Sequence, residues 1–186
     1  MINILLISII VAAAASIGGI ISLYTKEEMK QYKKQIELAE LLLSIVPLFF
    51  IFFIYEGIFP IIFLFAGIVV FLILDKSMFH KNLKRYSRMF LFGIALGILF
   101  NYQRQTAFIF GTFVGLYNII KGSCIGSDYI SRKTNIFKKI GNFQALFIIS
   151  SLVGFYILSF SLINIWFLYF VAGGILYLAL SGKEKN

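Results

Sequence analysis

The basic residues of this chain lie almost entirely after every second one of its apolar segments. Seven apolar runs follow one another, at 2–23, 38–54, 58–74, 89–100, 106–120, 143–160 and 162–180. All of the 17 lysines and arginines except Arg104 lie after the first, third, fifth or seventh run. Because basic residues in short loops stay on the cytoplasmic side, this pattern predicts seven transmembrane spans, with the N-terminus outside and the C-terminus in the cytoplasm.

The composition agrees with an integral membrane protein. Of the 186 residues, 60% are hydrophobic and only 13% are charged, which leaves too little polar surface for a soluble domain. We therefore expect one all-α membrane domain, 1–186, in the cell membrane. The net charge of +9 lies between apolar runs, so it indicates contact with the anionic headgroups of the bilayer and not with nucleic acid.

The fourth run is short for a span. Run 89–100 rises only about 18 Å as a helix, against a hydrocarbon layer of about 30 Å. It crosses the bilayer if the helix extends into 86–88 and 101–103. A re-entrant hairpin formed by runs four and five would return the chain to the same side and would give the same charge pattern. The sequence leaves both alternatives open.

A weak internal repeat is a further feature of the chain. Segments 32–45 and 137–150 each carry a basic pair before a span, and two apolar runs follow each. This spacing predicts parallel repeats 1–74 and 106–180, with 86–103 as a linker helix. Few positions are identical at this offset, so coincidence is the simpler explanation.

Small residues spaced by four are frequent in the apolar runs. Such spacing lets helix backbones approach closely, which is how helices associate in lipid. The alternative is that small residues leave space for a substrate path. The glycine pairs on runs four and five lie on the two arms of a predicted hairpin. We expect these two arms to pack against each other. The predicted helix-packing pairs are Ala14/Gly18, Gly93/Gly97, Gly111/Gly115 and Gly122/Gly126.

A few polar side chains are assigned to the outer face. Asn101 and Arg104 lie in the turn between runs four and five, and Glu56 lies between runs two and three. Glu56 and Arg104 are the only charged residues that the topology places outside. Two alternatives follow: ordinary solvated turn residues, or an ion pair that gates the outer mouth of a substrate path.

Run five carries polar residues at its cytoplasmic end. Asn118 and Lys121 are three residues apart and Tyr117 precedes them, so we include all three in the predicted substrate path. A charge within hydrocarbon costs several kcal/mol and indicates function. The alternative is that Lys121 extends to the headgroups. Glu37 and Glu40, where run two begins, have the same ambiguity, and a local surface pair is their simpler explanation.

Catalytic and metal chemistry have little support in the sequence. Cys124 is the single cysteine, which excludes an intrachain disulfide, and His80 is the single histidine, so no metal or cofactor is predicted. Asp75 and Asp128 are the only carboxylate pair that suggests an enzyme. Intramembrane aspartyl proteases use a Gly-x-Gly-Asp motif, but Ser127 replaces its second glycine here.

These observations favour three functions in decreasing order. The first is a transporter-like or substrate-binding membrane component for a small solute. The second is a non-catalytic scaffold or accessory subunit, whose partner is another membrane protein or a second copy of the chain. The third is a membrane-embedded enzyme.

Cysteine labelling tests the predicted topology. In a Cys124→Ser background, we expect a membrane-impermeant maleimide to label Gln103→Cys in intact cells, because this position lies outside. Lys84→Cys and Lys138→Cys should react only after lysis. Labelling of either lysine position in intact cells would overturn the assignment of sides.

Overall fold

A computed structural model describes residues 2–52, 54, 58–77, 81–132, 136–157 and 163–181, and helices account for nearly all of these residues. No strand occurs within these ranges, so the all-α prediction is confirmed for them. One short helix, α2, separates the first two apolar helices. The helices are α1 (Ile2–Tyr24), α2 (Lys26–Gln31), α3 (Lys33–Phe52), α4 (Ile58–Ser77), α5 (Lys81–Tyr102), α6 (Arg104–Arg132), α7 (Ile136–Ile157) and α8 (Ile163–Leu180).

Two segments of the described chain are long and apolar enough to cross a membrane. They are Asn3–Tyr24 in α1 and Arg104–Gly126 in α6. The apolar segments Phe59–Asp75 and Trp166–Leu180 are shorter. The short fourth run belongs to α5, whose 22 residues rise about 33 Å because the helix continues at both ends.

Helix α5 lies at the centre of the bundle. Every residue from 91 to 100 is buried. Helices α6, α7 and α8 all pack against α5 and cover it on several sides. A helical segment that is apolar all round is stable when other helices cover it on all sides. The short fourth run, 89–100, therefore forms the core of the fold.

The outer surface of the described bundle carries many large apolar side chains, although its core is also mainly apolar. Large apolar side chains on α1 and α4 face outward, including Ile10 at 62% exposure and Phe65 at 60%. Polar side chains such as Ser8, Ser44 and Asn118 are fully buried. Exposed apolar area on this scale is typical of a surface that contacts lipid or a partner.

The order of contacts gives the relative directions of the helices. From α1 to α6, contacts join Val11 to Asn118 and later Gly18 to Ser123, so these helices run parallel. The contacts of Gly93 with Ser150 and of Asn101 with Phe155 show the same for α5 and α7.

The remaining pairs extend this pattern. Helices α4 and α8 are parallel, since Phe63 stacks on Trp166 and, later in both helices, Tyr177 donates a hydrogen bond to Asp75. Helices α3 and α6 are antiparallel, because Glu40 contacts Lys121 whereas Phe50 stacks on Phe113. Helices α1 and α7 are also antiparallel: Ser8 bonds to Ser151, and the later Ser16 bonds to the earlier Gln144. All five pairs therefore agree with one rule: each apolar helix runs opposite to the apolar helix before it in the chain.

Glycines bring α1 and α6 into backbone contact. A Cβ atom at Gly18 would lie less than 3.0 Å from the carbonyl oxygen of Ile119, and one at Gly122 would lie equally close to that of Ala15. At Gly126, a Cβ would overlap the hydroxyl of Ser22 in the same way. Ala14, the remaining small residue predicted on α1, is 8% exposed. No larger side chain fits at these three glycine positions unless the facing atoms of the other helix move.

The glycines of the α5–α6 hairpin face other partners than the sequence suggests. Gly93 and Gly97 lie against the backbone of α7. A Cβ atom added at either position would come within 3.0 Å of that backbone. Gly111 makes ordinary contact, at 3.4 Å from Leu96 for an added Cβ, and Gly115 meets no atom within 4 Å. The two glycine pairs therefore do not pack against each other, because α5 turns its small residues toward α7.

The glycine-to-alanine substitution distinguishes these positions. Gly122→Ala should destabilise the protein by about 1–3 kcal/mol, because its methyl group overlaps the backbone of α1. Gly115→Ala should be neutral or stabilising by up to about 1 kcal/mol, because its methyl group enters open space and alanine favours helix. Thermal unfolding in detergent measures both. Equal effects would contradict the close approach of α1 and α6.

Candidate functional site

Three polar side chains from two helices meet at one carboxylate on a third helix. Oε1 of Glu40 accepts hydrogen bonds from Nζ of Lys121 at 2.7 Å and from Nη1 of Arg88 at 3.2 Å. The hydroxyl of Tyr117 donates to the same oxygen at 3.5 Å. We call these residues, Glu40, Arg88, Tyr117 and Lys121, the Glu40 cluster.

Helix geometry explains why these residues meet. Tyr117 and Lys121 are four residues apart, so they occupy one face of α6. That face meets Glu40 because α3 packs antiparallel to α6. Arg88 lies beside them because α5 and α6 form a hairpin that turns at Gln103. The cluster is about 20–25 Å along the helices from that turn.

The cluster combines burial with an excess of positive charge. Tyr117 is fully buried, and the side chains of Arg88 and Lys121 each expose only 15% of their surface. Two cationic groups share the carboxylate of Glu40, which is 13% exposed. Charges removed from water interact strongly and need close partners. Among the side chains that the structure describes, this cluster therefore holds two cationic groups and one carboxylate.

Asn118 lies next to the cluster but faces another helix. Its Nδ2 donates to the carbonyl oxygen of Val11 on α1 at 2.8 Å. Its Oδ1 is buried and has no hydrogen-bond partner within the described part of the chain. A buried acceptor in this state is unusual and has capacity for one more donor. Helical spacing suggested a shared face with Lys121, whereas the contacts direct Asn118 to α1.

The residues predicted at the outer face lie far from the cluster. Asn101 donates through Nδ2 to the carbonyl oxygen of Phe155. Arg104 is exposed, and its guanidinium carbon lies 5.8 Å from the centroid of the Phe100 ring. Glu56 is outside the described residues, so its pairing with Arg104 stays a prediction. The structure therefore joins Tyr117 and Lys121 at one site and leaves Asn101 and Arg104 at another.

Sequence reasoning missed two members of the cluster. The sequence leaves Glu40 with two alternatives, of which a surface pair is the simpler one, and it indicates for Arg88 only a role in orientation. A signal existed for each. Glu40 begins an apolar stretch, and Arg88 falls inside the segment by which the fourth run must extend to cross the bilayer.

The described residues give no support to a metal centre. No three histidine, cysteine, aspartate or glutamate side chains among them are close enough to hold a metal ion. Asp75 accepts a hydrogen bond from the hydroxyl of Tyr177 at 2.8 Å. The side chain of Asp128 lies outside the described part, so the catalytic pair stays a prediction.

Comparison with protein-family models, with curated proteins and with solved structures finds no match to this chain. The geometry of the Glu40 cluster and its surroundings is therefore the basis of the function proposed below.

Substitution of Glu40 tests the energetic role of the cluster. Glu40→Gln should destabilise the protein by about 3–5 kcal/mol, because it leaves two buried cations without a carboxylate. Glu37→Gln, three residues earlier on the exposed side of α3, should cost at most about 1 kcal/mol. Unfolding in detergent measures both.

A double variant separates charge pairing from loss of packing. The double variant Glu40→Gln, Lys121→Gln should lose less free energy of unfolding than the sum of the losses in the two single variants, because it removes both charges of one ion pair. Strict additivity would mean that the two side chains do not interact.

Proposed function

We propose that this protein is a transporter-like component of the cell membrane that binds a small anionic solute at the Glu40 cluster. In this proposal the seven apolar helices, α1 and α3 to α8, all cross the bilayer. The N-terminus is outside and the C-terminus is in the cytoplasm. One observation carries the functional part: cations from two helices are buried together and share one carboxylate.

Three features support the membrane topology. The outward faces of α1 and α4 are apolar, as lipid requires. The relative directions of the paired helices match alternating crossings. Helix α5 is about 33 Å long, of which the apolar run 89–100 supplies about 18 Å and the flanking residues of the helix the rest, and this length favours two crossings by α5 and α6 over a re-entrant hairpin. The basic residues then lie on the cytoplasmic side.

The charge of the cluster supports an anionic solute. An ionisable group within a membrane indicates a functional site, because its burial is costly. Arg88 and Lys121 together carry more charge than Glu40 compensates, and an anion would supply the difference. Carboxylates and phosphates suit these donors, since arginine can bind them through two hydrogen bonds and lysine as a point charge. Tyr117 offers a further hydroxyl donor.

The shared carboxylate also supports a change of conformation. Glu40 belongs to α3, whereas the two cations belong to α5 and α6. A bound anion would compete with Glu40 for the same donors and would weaken the contact between α3 and the hairpin. A ligand shifts a conformational equilibrium only through such differential contacts. Release of Glu40 would thus couple solute binding to movement of α3.

Ligand-dependent stability tests this proposal. Phosphate, acetate and succinate are added separately to the purified protein at constant ionic strength, with chloride as the reference anion. At least one should raise the unfolding temperature saturably, because it binds the folded cluster. Arg88→Gln and Lys121→Gln should abolish this shift. Lys34→Gln, which removes an exposed lysine of α3, should retain it.

The opposite result favours the second function. If none of these anions stabilises the protein, and proteoliposomes take up none of them, then the cluster serves only to hold the helices together. Co-purification of a stable membrane-protein partner would then identify a non-catalytic scaffold or accessory subunit.

A further inference from the structure

A groove separate from the Glu40 cluster lies between α4, α5 and α7. Its volume is about 580 Å³, within the range of about 300–1,000 Å³ typical of ligand sites. Its walls are almost entirely hydrocarbon. The apolar lining consists of Phe71 and Leu74 on α4, Phe90 and Leu91 on α5, and Leu146 on α7.

The close packing of neighbouring helix pairs explains the groove. Gly67 and Gly173 bring α4 and α8 into backbone contact, and Gly93 and Gly97 do the same for α5 and α7. Helix α4 packs chiefly on α8. The two tight pairs therefore leave a cleft where α4 faces α5 and α7.

The groove lies at the basic end of the bundle. Its residues occupy the last turns of α4 and the first half of both α5 and α7. The adjoining sequence segments 76–88 and 132–139 contain about half of the 17 basic residues. The polar lining residues are Tyr86, Ser87 and Asn142, of which Tyr86 and Ser87 precede the apolar pair on α5. An anionic group is therefore favoured at one end of the groove and hydrocarbon within it.

We propose that this groove binds one acyl chain of an anionic phospholipid, with its phosphate at the basic starts of α5 and α7. The chemistry of the lining selects this occupant. An extended peptide segment would bring backbone groups that the apolar walls leave without hydrogen bonds, whereas an acyl chain brings none. A polar solute is disfavoured for the same reason. The inference depends on the membrane placement proposed above and not on solute binding at the Glu40 cluster.

Lipid retention by variants of α7 tests this proposal. The purified protein is mixed with equal amounts of phosphatidylglycerol and phosphatidylcholine that carry the same chains, and the bound lipid is counted by native mass spectrometry. We expect selective retention of phosphatidylglycerol. Leu146→Trp fills the groove and should reduce retention on the order of tenfold, as for loss of about two buried methylenes. Ile149→Trp, at an exposed position of the same helix, should not.

A second pair of variants guards against misfolding. On α4, Leu74→Trp enters the groove, whereas Ile73→Trp lies at an exposed position. We expect the same contrast if Leu146→Trp does not fold.

Three outcomes would overturn the inference: equal retention of both lipids by the wild type, equal retention by groove and control variants, or displacement of the lipid by glycerol phosphate alone. None of them depends on anion binding at the Glu40 cluster. Conversely, the absence of a phosphate, acetate or succinate effect would leave this result unchanged.

Discussion

The contact of one carboxylate with two cations determines how three helices of this protein sit together. Glu40 on α3 meets Arg88 on α5 and Lys121 on α6, at 3.2 and 2.7 Å. Where water is scarce, none of these charges is stable alone, so each helix is constrained to the register that brings its charge to the others. This constraint acts at one depth only. Above it, toward the turn at Gln103, the helices are held by apolar packing, including the stacked rings of Phe50 and Phe113.

Two kinds of helix contact are therefore present, and they suit different purposes. The parallel pairs α1–α6, α4–α8 and α5–α7 are joined through glycines whose neighbours leave no room for a methyl group. Such interfaces are rigid, because any displacement loses close packing along a whole strip. The antiparallel contact of α3 with α6 depends more on polar groups, which can exchange partners. The groove lies where the pair α4–α8 diverges from the pair α5–α7. The Glu40 cluster lies where α3 contacts α6.

The sequence predicts the helices well and their neighbours poorly. Hydropathy and charge locate all seven apolar helices and the candidate Lys121, because these properties depend on position along the chain. Which helix lies beside Lys121 depends on packing, and no periodicity encodes it, so the sequence indicates neither Glu40 nor Arg88 as its partner. The glycines show the same division. Their spacing indicates a flat face on α5, but only the structure shows that α7, and not α6, occupies it.

Helix α5 connects the two sites, and this affects how they can be separated by experiment. Ser87 lines the groove and Arg88, the next residue, belongs to the Glu40 cluster. Successive residues of a helix point about 100° apart, so the two sites occupy adjoining faces of α5 at the same level along the helix. A substitution at Ser87 would disturb the backbone that positions Arg88, and its effects on lipid and on solute would be inseparable. Leu146 on α7 and Leu74 on α4 line the groove without adjoining the cluster in sequence. Substitutions there affect the groove proposed for lipid alone, whereas a substitution of Lys121 on α6 affects the site proposed for the solute alone.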